Sequence, residues 1–173
     1  MEGLNKQNSV LPYRRGVGMV VFNKEGKVFA GRRIVKNVNP EENLERLWQF
    51  PQGGIDNEEE PLEAAYRELY EETGMRSLCY LAHIDEWLHY DFPSNMPSNN
   101  LKTIYKGQQQ KWFAFRFTGS DSEIAINPPP GGHMVEFDRW GWFDLNAMAD
   151  YIVHFKYEVY KIVIEKFKFL AAS

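Results

Sequence analysis

The chain has 173 residues, 43% hydrophobic and 15% aromatic, enough to bury the core of one domain and too apolar for a disordered segment. A formal net charge of −4 argues against the broad basic footprint of a protein that grips a long nucleic-acid backbone. Cys79 stands alone, which rules out an internal disulfide and suits a reducing compartment.

Residues 1–12 lack the apolar segment of a signal peptide, and no run is apolar and long enough to cross a membrane. The expectation is a cytoplasmic protein with an N-terminal extension (1–12) ahead of one domain (13–173). Val17 to Phe22 and Lys27 to Arg32 flank Asn23-Lys24-Glu25-Gly26, a hairpin pattern. A polar insertion, roughly Val35 to Arg46, leads to a short strand around Trp48–Phe50. Leu78 to Tyr90 reads as one long strand or a pair, and Pro93 to Lys106 as a loop. Lys111 to Phe117 alternates aromatics with other residues and predicts a central strand. Asn127-Pro128-Pro129-Pro130-Gly131-Gly132 cannot join a sheet and must be a loop. Glu136 to Phe143 predicts a strand and Leu145 to Asp150 a short helix. Tyr157, Val159, Tyr160, Val163, Ile164, Phe167 and Leu170 give a terminal amphipathic helix. Without internal repeat or linker, these elements predict an α/β sandwich around a mixed sheet.

The most specific stretch runs from Gly53 to Met75. Pro61 suits the first helical turn, acidic residues crowd its positive end, and Gly74 suits the position just past the last turn. Leu62, Ala65, Tyr66 and Leu69 form the expected buried stripe, with the glutamates on another sector. Glu68, Glu71 and Glu72 stand at helical offsets of three and four, so all three share one side and repel. Such a cluster suits a hard divalent ion; Mg²⁺ takes a few carboxylates and fills its other positions with water and phosphate oxygens. Arg67, four residues from Glu63 and from Glu71, is placed to brace the acidic face. A solvated acidic helix surface is the usual meaning of a charge run. It does not account for the flanking glycines.

Gly53, Glu59 and Arg67-Glu68-Leu69-Tyr70-Glu71-Glu72-Thr73-Gly74-Met75 resemble the Nudix box. The likeness extends along the chain. Tyr13-Arg14, Gly16-Val17-Gly18, Arg32-Arg33, Trp48-Gln49-Phe50-Pro51-Gln52-Gly53-Gly54-Ile55-Asp56, Gly107-Gln108, Gln110-Lys111-Trp112-Phe113, Glu136-Phe137-Asp138 and Phe155-Lys156 follow in matching order. Together they are similar to the bacterial RNA pyrophosphohydrolase and diadenosine polyphosphate hydrolase branch, the invasion-associated type included.

That resemblance implies a Nudix α/β/α sandwich and a hydrolase dependent on Mg²⁺ or another divalent cation such as Mn²⁺. Implied substrates are 5′-triphosphate RNA, trimmed to a 5′-monophosphate, and dinucleoside polyphosphates such as diadenosine tetraphosphate. A housecleaning hydrolase of another nucleoside diphosphate derivative is the alternative, and a catalytically silent binding module a remoter one. Glu68, Glu71 and Glu72 are the expected metal ligands, with Glu136 as a further ligand or as general base. Gly53 allows a close backbone approach to metal or phosphate; Glu59, Arg67 and Gly74 support the motif. Arg14, Arg33 and Lys111 are candidate phosphate contacts. Phe155 matches an aromatic that stacks on a purine, and Tyr90 is a second base-binding candidate. Asp91 stands where some members of the branch carry lysine. Basic clusters at Arg14-Arg15, Arg32-Arg33 and Lys36, with Lys102, Lys106 and Lys111, suit a few phosphates, so RNA is expected to be held at its 5′ end and little else. His83, His89, His133 and His154 show no metal-ligand spacing, and neither a serine-hydrolase elbow nor a P-loop is present.

Overall fold

Strand β1 (Tyr13–Phe22) is the axis of the fold. A computed structural model describes residues 10–35, 44–96 and 100–172. The start of the expected N-terminal extension, most of the polar insertion and Lys36 lie outside those residues. β1 runs parallel to β7 (Gly107–Phe117) along its whole length, from Tyr13 opposite Gly107 to Phe22 opposite Arg116. Its other edge is divided. Near its start it pairs antiparallel with β4 (Gln52–Gly54), and at its end Phe22 meets Val28 of β2 (Val28–Arg33). The predicted hairpin therefore opens at once. β2 leaves β1 to pair with β3 (Trp48–Gln49) and β8 (Phe137–Phe143).

β5 (Leu78–His83) and β6 (Leu88–Asp91) both pair antiparallel with β7, so the Leu78–Tyr90 stretch is a pair of strands. The sheet is mixed because only a crossover, and no hairpin, can set β1 and β7 parallel. The expected loop from Pro93 to Lys106 holds a short helix, α2 (Asn100–Ile104). Its apolar residues are too few for a periodic signal. The expected helix over Leu145–Asp150 is a 3₁₀ turn (Leu145–Ala147) running into α3 (Met148–Tyr151).

Side chains alternate across β1 and β7, and each set meets its own helix. Val20, Phe22, Trp112 and Ala114 pack with Val159, Tyr160, Val163 and Phe167 of α4 (Tyr157–Ala171). Val17, Met19, Val21, Phe113 and Phe115 pack with Ala64, Ala65 and Leu69 of α1 (Pro61–Thr73). This is the predicted α/β/α sandwich. Among the described residues no helix is long and apolar enough to cross a membrane.

α1 starts on Pro61 and ends on Gly74, whose φ of 75° suits a residue without a side chain. Two details depart from the expected helix wheel. Tyr66 is 39% exposed, and Ala64 takes its place in the core beside Ala65. Glu72, expected on a separate acidic sector, is only 9% exposed. It lies three residues from Leu69 and seven from Ala65, so the turn that buries those residues carries Glu72 inward too.

Candidate active site

β4 and the glutamates of α1 form one wall of a cavity of about 370 Å³. Gly53 fits here because it has no side chain: a Cβ would stand 2.0 Å from Glu68 Cδ and 2.3 Å from its Oε2. Gly53→Ala is therefore expected to push the Glu68 carboxylate out of place and lower kcat by more than it raises KM, which steady-state kinetics would show.

Arg67 organises the outer side of the same wall. It bonds the Glu59 carboxylate through Nε at 2.7 Å and Nη2 at 2.9 Å, and Nη2 also donates to the Gly54 carbonyl at 2.9 Å. Nη1 reaches Glu68 Oε1 at 2.9 Å and Glu71 Oε2 at 3.2 Å. Those carboxylates raise the Arg67 pKa, led by the Glu59 bond, and the same bond holds Glu59 below the usual carboxylate range. Glu63, the other expected partner, turns back to the Glu60 amide at 3.4 Å.

Arg14, from the start of β1, lies against Gly54 of this wall, and Arg33, from the end of β2, also lines the cavity. The β2–β8 pairing shifts register between Arg32 and Arg33, and this irregularity separates the two arginines. Arg32 forms a two-pronged pair with Asp138 at 2.7 and 2.8 Å, while Arg33 lines the cavity with Glu136.

The cavity thus brings together eight of the expected residues: Arg14, Arg33, Gly53, Glu68, Glu72, Tyr90, Glu136 and Phe155. Glu59, Arg67 and Gly74 stand behind the wall or at the helix end. Glu71, tied to Arg67, is not among the lining residues. Lys111 is not brought to the cavity: it is an odd-numbered residue of β7, on the α1 face, and Nζ donates to the Asp85 carbonyl. Asp91 accepts a 2.5 Å bond from the Tyr13 hydroxyl.

Glu72 carries the greatest electrostatic load. Burial pushes its carboxyl pKa well up, and Glu68 and Glu136 push it further, against the Gln52 amide and Lys156. Its Oε2 is buried without a hydrogen-bond partner. Burial likewise raises Glu68, with Arg67 opposing. An unpartnered buried carboxylate oxygen between two further carboxylates fits a bound cation. Among the described residues no three such side chains converge into a ready-made cage.

Lys156 is the residue the sequence reading missed. It is 4% exposed, and Nζ lies 3.2 Å from Gln49 Oε1 and 3.4 Å from Gln52 Oε1. Its pKa is lowered to about 7, by burial first and then by Arg33, with Glu72 opposing both. Its signal was the Phe155-Lys156 pair, although a lysine opening a helix ordinarily faces water. The sign of the linkage follows. The folded state binds Lys156's proton less readily than the unfolded chain, so stability rises with pH between about 7 and the ordinary lysine value. Lys156→Met should raise the melting temperature of the metal-free protein more at pH 6 than at pH 9. A gap that does not vary with pH would exclude a buried charge at this position.

At the far end Phe155 and Tyr90 stand 5.6 Å apart at 55°, with Tyr90 buried. Cations, carboxylates and an aromatic end thus line one cavity.

Residues 12–162 match the NUDIX domain family. The chain belongs to that family, whose members hydrolyse phosphoanhydride bonds. It is 55% identical over 162 residues to the RNA pyrophosphohydrolase of Brucella anthropi, covering 94% of this chain and 93% of that protein. The RNA pyrophosphohydrolase of Mesorhizobium japonicum is 53% identical over 161 residues, with 93% of each chain covered. Among solved structures, a C. elegans Ap4A hydrolase binary complex shares the fold with a TM-score of 0.63 at 20% identity, over 92% of this chain and 99% of that one.

Proposed function

We propose that this protein is a divalent-cation-dependent RNA pyrophosphohydrolase, which removes pyrophosphate from a 5′-triphosphate end and leaves a 5′-monophosphate. The observation that carries this reading is the one cavity that gathers Glu68, Glu72 and Glu136 with Arg14, Arg33 and Lys156. Glu68, Glu72 and Glu136 would hold the cation, with the Gly53 backbone beside them. When bound, the cation neutralises phosphate charge and lowers the pKa of an attacking water. Arg14 and Arg33 bind and orient the phosphate chain, Arg through its planar fork. Lys156, held between Gln49 and Gln52, adds a point charge whose proton is retained more strongly once a polyanion fills the cavity. Phe155 offers a stacking face to the terminal base. Arg67 aims Glu68 by holding its Oε1. The resemblance of the box and the relatives' names support the substrate; the lone exposed Cys79 agrees with a cytoplasmic setting.

A second cavity of about 330 Å³ favours a second substrate. It shares Tyr90 and Phe155 with the first and adds Tyr13 and His89, whose rings stand 5.1 Å apart. A second nucleoside would lie there, so dinucleoside polyphosphates are the companion reading. The deciding assay compares 5′-triphosphate RNA with diadenosine tetraphosphate at equal concentration with Mg²⁺ or Mn²⁺. Faster pyrophosphate release from RNA is expected; faster formation of ATP and AMP would make the dinucleotide the principal substrate.

A further inference from the structure

On β1 and β7, Arg15 and Lys111 share the α1 face with Val17, Met19, Phe113 and Phe115. There the half-buried Trp87 ring lies under both cations, with Arg15 Cζ 5.0 Å and Lys111 Nζ 5.9 Å from its centroid. The helix does not cover the face completely. Tyr80, 41% exposed, and Tyr66 lie 6.4 and 5.0 Å from Phe115. Between Trp87 and Tyr80 the His83 ring stands 6.2 Å from Phe113, hydrogen-bonded to the Tyr80 hydroxyl through Nδ1 and to Asp85 through Nε2. The Asp85 carboxylate is engaged in this way, its carbonyl accepts from Lys111, and Glu86 remains the adjacent exposed acid.

The strip lies on the other face of the sheet from Arg14 and is joined to the active site through the backbone at the start of β1. The Ile55 amide donates to the Arg15 carbonyl at 3.2 Å, and the preceding Gly54 lines the cavity against Arg14. Arg14 and Arg15 are consecutive on β1, the first turned to the cavity and the second to the strip.

We propose that the strip is a track for single-stranded RNA beyond its 5′ end, with bases stacking on Trp87 and along the His83–Tyr80 edge while Arg15 and Lys111 meet backbone phosphates. Single exposed aromatics need no explanation. A row of them with two cations, next to a phosphate-binding cavity, supplies the stacking and charge that single strands require. The track rests on the RNA reading above, and it enlarges the expected grip on the 5′ end alone.

Binding of a 5′-monophosphate RNA of about ten nucleotides, followed by fluorescence anisotropy and compared with AMP, tests the track without turnover. Wild-type protein should bind the RNA more tightly than AMP. Trp87→Ala should weaken RNA about tenfold, the loss of one stacked base, and leave AMP unchanged. The exposed Arg15→Gln should weaken RNA about threefold and flatten the salt dependence by about 0.7 in logarithmic slope. It also keeps the test valid if Trp87→Ala fails to fold. Equal wild-type affinity for RNA and AMP, or equal losses for both ligands, would overturn the track. Tight RNA binding without pyrophosphate release from triphosphate RNA would instead overturn the substrate reading and leave the track standing.

Discussion

Glu72→Gln is expected to lower kcat by about a thousandfold while making the metal-free protein more stable. The loss arises because the cavity then lacks its most buried anionic ligand, on the scale of removing one preorganised electrostatic group from an active site. The gain has the opposite origin. Glu72 is buried beside Glu68 and Glu136, with Oε2 unpartnered. A carboxyl whose folded pKa lies above its unfolded value binds more protons when folded, so stability falls as pH rises from the ordinary carboxylate range. The amide does not titrate. The melting-temperature difference between variant and wild type should therefore widen as pH increases above about 5, and added Mg²⁺ should reverse it by binding the wild type alone. A variant that loses activity and stability together would show Glu72 to be a packing residue.

Arg67→Ala should be the most damaging single change outside the cavity. One guanidinium joins Glu59, Glu68, Glu71 and the Gly54 carbonyl. Without it, Glu59 just ahead of α1 repels Glu68 and Glu71 on the helix, and β4 loses the Arg67 bond to the Gly54 carbonyl. Breaking a buried ion pair costs about 3–5 kcal/mol, and we expect about 3 because the side chain keeps 27% of its area exposed. For a domain of this size that is roughly a 10 °C fall in melting temperature. Lysine cannot reproduce the fork, so Arg67→Lys should recover part of the stability and little of kcat. Thermal unfolding and steady-state kinetics on both variants check this. Equal kinetics for Arg67→Lys and wild type would mean that Glu68 is aimed by something else.

Most of the candidate site was legible before any coordinates. Pro61, the glutamate spacing and Gly74 are local signals, and local signals survive into the structure because helix caps and turn chemistry depend on neighbours in sequence. Arg67 was legible only in part. Its bond to Glu71 follows from helical spacing, whereas the stronger one to Glu59 depends on the path of the chain between Gly54 and Pro61. Lys111 was read from charge and motif order, neither of which encodes the face of a strand; a period of two sends Gln110 to one side and Lys111 to the other. Lys156 escaped notice because the Phe155-Lys156 pair gives no sign that the lysine is buried. It is recognised only when Gln49, Gln52 and Glu72 are seen around it.

By itself, then, the sequence determined the family, the box helix with its ends, the central strand and the residue types needed to hold a cation and a phosphate chain. Periodicity, capping and motif spacing are properties of neighbouring residues, and a linear string carries them in full. Only the tertiary structure decided which charges meet. It turned Glu72 inward, tied Glu71 to Arg67, placed Arg33 and not Arg32 in the cavity, buried Lys156, and set Lys111 with Arg15 and Trp87 on the opposite face. Each of those outcomes depends on strand register and on which face a helix covers, quantities fixed by long-range packing between segments far apart in the chain.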